Sequence, residues 1–230
     1  MAEIKFCGMT RKEDVLEAVA LGVAYVGVIF AGGPRDISQD TAARILADVR
    51  APTRRVAVFA DQDVETIAEA VRVLELDVVQ LHTRATGDRV RAIRERAGAH
   101  VWAVVCLSGT VLPLEDELRD RLDSADGLMI DARKPGSAAG SLGGTGVALP
   151  WRELAGPLGS WRARLPLILA GGLRPENVGD AIAALSPDVV DVSSGIESAP
   201  GVKNHERMRS FVGAVRSASR PGRTSAGSRV

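Results

Sequence analysis

Residues 167–195 read LILAGGLRPENVGDAIAALSPDVVDVSSG. The apolar run Leu167-Ile168-Leu169-Ala170 reads as a buried strand, and Gly171-Gly172 breaks it. A helix-period stretch follows. Pro175 and Glu176 are expected in its first turn, where amides have no helical partner and a proline is tolerated. A second apolar strand, Val189 to Val192, ends in Ser193-Ser194-Gly195. Strand–helix–strand order makes the two strands parallel, so both end in small residues at one edge. Small residues let an anion approach backbone N–H groups, and nearby helix N-termini add positive dipole. Gly171, Gly172, Ser193, Ser194 and Gly195 are therefore a candidate phosphate cradle.

Outward from this stretch the same unit recurs. Strand candidates are Ile4–Cys7, Tyr25–Phe30, Arg55–Phe59, Val78–His82, Val101–Leu107, Gly127–Asp131, Leu167–Ala170 and Val189–Val192. Helix-period stretches lie between them, such as Glu13–Leu21, Ala42–Val49, Val64–Leu74 and Arg89–Arg96. Strand ends fall 22 to 29 residues apart, save one step of 39, which marks a repeated βα unit. Eight such units predict an α/β protein with a closed (β/α)₈ TIM barrel as a single domain over residues 1–216. An open doubly wound sheet is the alternative, because periodicity does not dictate closure. The block Arg11-Lys12-Glu13-Asp14-Val15 echoes Arg174-Pro175-Glu176-Asn177-Val178, and Thr10 with Glu13 reads as a capping box for the first helix.

The long step contains PGSAAGSLGGTGVALP, residues 135–150, too rich in small residues to pack a core and expected to be a functional loop after the sixth strand. Residues 217–230 read as a disordered tail. Formal net charge is zero, so neither nucleic acid nor a membrane surface is indicated as a partner. The two cysteines, Cys7 and Cys106, have no disulfide-framework or metal-site spacing and suit a reducing compartment. No apolar run approaches membrane-spanning length, and the chain reads as cytoplasmic.

Chemistry is expected where barrel strands end. Cys7 ends the first strand and Asp131 the sixth, so both project into the mouth as a candidate acid–base pair. Serving as a base requires stabilisation of the Cys7 thiolate; the bland reading of Cys7 is a buried apolar residue, and that of Asp131 a salt-bridged strand end. Arg35 follows Gly32-Gly33-Pro34 and is placed to fork a carboxylate, or else is a solvated arginine. Gln80 and His82 end the fourth strand with side chains on one face. Cys106 reads as packing. Asp191, in the last strand, reads as orienting neighbouring backbone or the opposing loop.

Taken in order, Lys5-Phe6-Cys7-Gly8-Met9-Thr10, Gln80-Leu81-His82, Gly143-Gly144-Thr145-Gly146, Leu169-Ala170-Gly171-Gly172-Leu173 with Pro175-Glu176-Asn177-Val178, and Val190-Asp191-Val192-Ser193-Ser194-Gly195-Ile196-Glu197 with Pro200-Gly201-Val202-Lys203 resemble the phosphoribosylanthranilate isomerases of tryptophan biosynthesis. The resemblance spans about residues 4–215. It implies a barrel without cofactor or metal, acting on a small phosphoribosyl substrate as a monomer or homodimer. The implied reaction is an Amadori rearrangement of N-(5-phosphoribosyl)anthranilate to 1-(2-carboxyphenylamino)-1-deoxyribulose 5-phosphate. It further implies Asp131 as general acid on the ring oxygen and Cys7 as general base at C2. Arg35 would hold the anthranilate carboxylate; Gln80, His82, Gly144 and Asp191 would also line the substrate site. The five cradle residues would hold the phosphate. The chain departs from the family at Gly33, where a serine usually precedes the proline, and at Thr83, usually glycine. The sister isomerase of histidine biosynthesis and a non-catalytic phosphate-ligand-binding barrel are the alternatives. The first is disfavoured by Cys7 in place of its aspartate, the second by the presence of both Cys7 and Asp131.

Overall fold

The computed structural model describes residues 1–83, 85–107, 115–132 and 149–218. Eight parallel strands close on themselves in sequence order: β1 (Glu3–Phe6), β2 (Tyr25–Ile29), β3 (Arg54–Phe59), β4 (Val78–Leu81), β5 (His100–Leu107), β6 (Gly127–Ala132), β7 (Leu167–Leu169) and β8 (Val189–Val192). Closure is made by β1 pairing with β8, Glu3 opposite Val189 through Phe6 opposite Val192. The open-sheet alternative is thereby excluded.

Helices cover the outside: α1 (Lys12–Ala20), α2 (Gln39–Leu46), α3 (Val64–Leu74), α4 (Gly87–Ala97), α5 (Glu115–Ser124), α6 (Trp151–Arg162), α7 (Val178–Leu185) and α8 (His205–Ala218). Three start where the local chemistry favours it. Ser38, Asp63 and Thr86 each accept a bond from an amide three residues on, at the starts of α2, α3 and α4. Two local expectations fail. Arg11, not Thr10, occupies the cap position of α1 and makes no side-chain cap; the Thr10 hydroxyl instead donates to the Gly201 carbonyl. Pro175 and Glu176 lie in a turn before α7, whose cap is Asn177. There the Asn177 side chain accepts from the Arg174 amide and donates to the Gly172 carbonyl, and so locks the turn after β7.

The two-residue period of each strand decides what faces where. Outward residues such as Ile4, Phe6, Val26, Val28, Val79, Leu81, Leu128 and Ile130 join the helices in one core. Each fully buried aliphatic or aromatic side chain there contributes roughly 1.5–3 kcal/mol. Inward residues Tyr25, Val56, Val78, Trp102, Val104, Met129, Ile168 and Val189 fill the barrel in a second cluster. Continuing each inward row toward the strand C-termini reaches Cys7, Gln80, His82, Cys106, Asp131 and Asp191. The sequence reading did not anticipate a hairpin after β8. A 3₁₀ turn (Ser194–Ile196) leads into β9 (Glu197–Ala199), which pairs antiparallel with β10 (Val202–Lys203). The expected tail falls largely at 219–230, outside the described residues; α8 itself runs to Ala218.

Candidate active site

A cavity of about 370 Å³ opens at the C-terminal end of the strands, lined among others by Cys7, Arg35, Gln80, His82, Asp131 and Asp191 and by the small residues at 170–172 and 192–194. A wider depression of about 640 Å³ lies at the opposite end of the barrel. Its charged and aromatic residues satisfy one another: Arg54 pairs with Glu3 at 2.8 Å and sits 4.0 Å above the Tyr25 ring, which packs edge-on against Trp102. The first cavity gathers the candidate reactive residues at the strand C-termini.

Cys7 and Asp131 line the same cavity at the same rim. Asp131 is 7% exposed, and burial, with the Asp191 charge adding to it, pushes its pKa up to about 7; the Ala132 amide and Lys5 pull the other way. It therefore carries a proton for a substantial part of the time near neutrality, where an ordinary carboxyl is ionised. Burial also pushes the Cys7 thiol up, and Lys5 opposes that shift. Gln80 is buried, and among the described residues its Oε1 has no hydrogen-bond partner, which leaves an acceptor on the cavity wall. His82 Nε2 lies 3.6 Å from Cys106 Sγ, and Cys106 is half-buried and packs against the inner cluster, as its sequence reading expects.

Asp191 corrects its expected role. It accepts a 2.8 Å bond from the ammonium of Lys5, directly opposite it in the β1–β8 register. Lys5 is fully buried; burial disfavours its charge, but Asp191 and Cys7 outweigh that and raise its pKa. Arg35 does fork a carboxylate rather than lie solvated, but that carboxylate belongs to the protein itself. Its Nε and Nη2 donate to the two oxygens of Glu197 at 2.8 and 2.7 Å. Glu197 accepts as well from Lys203 Nζ at 2.7 Å, and Lys203 reaches on to the carbonyls of Cys7 and Ser193 at 2.6 and 3.3 Å. One carboxylate thus ties the loop after β2, the end of β1 and the turn after β8 together. Burial opposes the Glu197 charge, yet Arg35 and Lys203 hold its pKa below the usual range. Lys5, Glu197 and Lys203 stood inside the quoted motifs, but none was singled out. For Lys5 the signal was its spacing of two from Cys7, which puts both on one strand face.

The turns after β7 and β8 bring their backbones close together. Gly171 has φ +87°, and a Cβ there would lie 2.2 Å from the Ala132 nitrogen. A Cβ on Gly195 would lie 1.9 Å from the Leu173 carbonyl oxygen. Among the described residues no acceptor takes the amides of Gly172, Ser194 or Gly195. Gly171, Gly172, Ser193 and Ser194 border the cavity. Gly144 and the glycine-rich loop lie outside the described residues.

Comparison with known proteins agrees with this geometry. The family model described as N-(5'phosphoribosyl)anthranilate (PRA) isomerase matches residues 4–214. An N-(5'-phosphoribosyl)anthranilate isomerase of Paracoccus denitrificans is 41% identical over 91% of this chain and 94% of that protein. The crystal structure of phosphoribosyl anthranilate isomerase from Thermotoga maritima superposes with a TM-score of 0.79 at 32% identity, over 94% of this chain and all (100%) of that one. A further isomerase structure holds reduced 1-(o-carboxyphenylamino)-1-deoxyribulose 5-phosphate; it is 30% identical over 94% of this chain and 100% of that one, with a TM-score of 0.76. A match over nearly the whole length, on a barrel with its reactive groups at one rim, assigns this chain to the N-(5'-phosphoribosyl)anthranilate isomerase family.

Proposed function

We propose that this chain converts N-(5-phosphoribosyl)anthranilate to 1-(2-carboxyphenylamino)-1-deoxyribulose 5-phosphate, a step of tryptophan biosynthesis, with Asp131 as general acid and Cys7 as general base. The observation that carries this reading is the convergence of a carboxyl with a raised pKa and a thiol on one cavity bordered by the small residues of the turns after β7 and β8. The phosphate rests against the turns after β7 and β8, where Gly171, Gly172, Ser193, Ser194 and Gly195 bare the backbone. Asp131 then gives its proton to the ribose ring oxygen. The C1–O bond breaks and the aniline nitrogen becomes part of a cationic Schiff base. The Cys7 thiolate takes the C2 proton, the electrons of that bond move toward the cation, and the enolamine formed settles to the ketone. Over one turnover Asp131 loses a proton and Cys7 gains one, so returning a single proton resets the pair.

Gln80 and His82 face the anthranilate side, and the Arg35 edge not held by Glu197 is available to a carboxylate. All these groups come from one chain, which is compatible with a monomer or with a homodimer of complete sites. The cytoplasm is the compartment that suits a free active-site thiol. Among the described residues no helix is long and apolar enough to cross a membrane. The test is rescue of a tryptophan auxotroph lacking this isomerase, together with turnover of phosphoribosylanthranilate by the purified chain. Growth and turnover are expected; a folded protein giving neither overturns the reading.

A further inference from the structure

The reading above leaves a chemical gap. The reaction needs a neutral Asp131 and an ionised Cys7 at the same moment, whereas burial disfavours the thiolate. Something in the site must favour the rarer arrangement of the proton. The groups facing Cys7 are few. Lys5 comes from β1 itself, Asp191 from β8, Asp131 from β6, Arg35 from the loop after β2, and Lys203 from β10. Arg35 and Lys203 share Glu197 as a common carboxylate, and Lys203 is further committed to the Cys7 and Ser193 carbonyls. Lys5 is different. It sits two residues before Cys7 on the same strand face, and its bond to Asp191 uses one of three ammonium protons. A methyl group placed on Gly27, in the facing strand β2, would meet both Lys5 Nζ and Cys7 Sγ at 3.3 Å. The ammonium and the sulfur therefore both border the space that a glycine leaves open.

Resting on the assignment of Cys7 as base, we propose that Lys5 is the positioning residue that holds Cys7 as a thiolate during catalysis, with Asp191 anchoring the ammonium. A fully buried lysine needs a permanent counter-charge to stay protonated, and Asp191 supplies it in direct register. The ammonium then faces the sulfur with protons to spare. As Asp131 loses its proton to the ring oxygen and the Schiff-base cation forms, the thiolate is already oriented toward C2. Lys5 transfers no proton and does not bind the substrate; it acts through the Cys7 sulfur, whose ionised form it favours. Gly27 is part of the arrangement, because any side chain there enters the space shared by the two groups.

The experiment compares pH profiles of kcat/KM for the wild type and for Lys5→Met, Lys5→Arg and Gly27→Ala. The pair titrates as a unit, so both limbs of the bell belong to the couple. Loss of the ammonium raises the pKa of each acid. Lys5→Met is expected to move both limbs up by roughly one to three pH units and to lower the maximum roughly 10- to 100-fold. Lys5→Arg keeps the charge and should leave the limbs near their wild-type positions. Gly27→Ala leaves all charges in place and forces Lys5 and Cys7 apart by a few tenths of an ångström. It should lower kcat with KM nearly unchanged and raise the Cys7 pKa, read from ultraviolet thiolate absorbance in a Cys106→Ser background. If Lys5→Met does not fold, Gly27→Ala decides the matter alone. An unmoved profile in Lys5→Met, or an unmoved thiolate titration in Gly27→Ala, overturns the role of Lys5 while leaving Cys7 as base. Full turnover by Cys7→Ser would instead overturn the assignment beneath it.

Discussion

Arg35 grips Glu197 with two bonds, 2.8 and 2.7 Å long, across 162 residues of sequence. Glu197 is 4% exposed at its side chain and also holds Lys203, whose side chain is fully buried. Removing the carboxylate strands two cations, one of them in the interior. Glu197→Ala is expected to destabilise the fold by about 3–5 kcal/mol in urea unfolding and to raise KM, because the turn at Ser193 loses its tether through Lys203. Unchanged stability and KM would show that the network is ornamental.

The same carboxylate gives an acid-dependent term. Its folded pKa is lowered despite burial, because Arg35 and Lys203 favour the charge. The stability it contributes is therefore present above the unfolded glutamate value of about 4.3 and is lost as pH falls through the lower folded value. Glu197→Gln should accordingly differ from wild type most at neutral pH, and the two unfolding curves should converge on acidification below pH 4 or so.

Asp131 works in the opposite direction. Its folded pKa of about 7 lies above the unfolded value, so the fold binds the proton more tightly than the unfolded chain does. That contribution is complete below the unfolded pKa of about 4 and disappears as pH rises through about 7. Asp131→Asn should match wild type in acid and exceed it at pH 8, by on the order of 4 kcal/mol at most. The same variant should lose roughly 10²–10⁴-fold in kcat, as should Cys7→Ser. A stable but fully active Asp131→Asn would refute the acid assignment.

Gly195→Ala tests the cradle. The added methyl would fall 1.9 Å from the Leu173 carbonyl oxygen, and backbone rather than a pliable side chain must move. The turn after β8 is expected to shift away from that after β7. Inorganic phosphate, a competitor for the cradle, should then inhibit at least about tenfold more weakly, equivalent to about 1.4 kcal/mol. Undiminished phosphate inhibition would place the phosphate elsewhere.

Much of this protein is written locally. The apolar runs and their recurrence located each of the eight barrel strands to within a residue, because a strand buried on both faces must be apolar along its length, whereas the short hairpin β9–β10 left no such run. Residue parity put Gln80 and His82 on one face, and their places at strand ends put Cys7 and Asp131 in the mouth; Asp191 lines the same cavity, which its sequence reading did not state. Helix starts were less legible. Thr10 satisfies the pattern of a cap, yet the Gly201 carbonyl competes for its hydroxyl from 191 residues away.

What the sequence by itself determined is the βα repeat, the inward rows of side chains and the small residues that end β7 and β8. Those properties follow from period and composition, which act between near neighbours. The tertiary structure alone decided that the sheet closes, that Lys5 meets Asp191 and that Glu197 binds both Arg35 and Lys203. Each depends on register between segments far apart in the chain, and a charge buried on one strand finds its partner only when the ring of strands is complete.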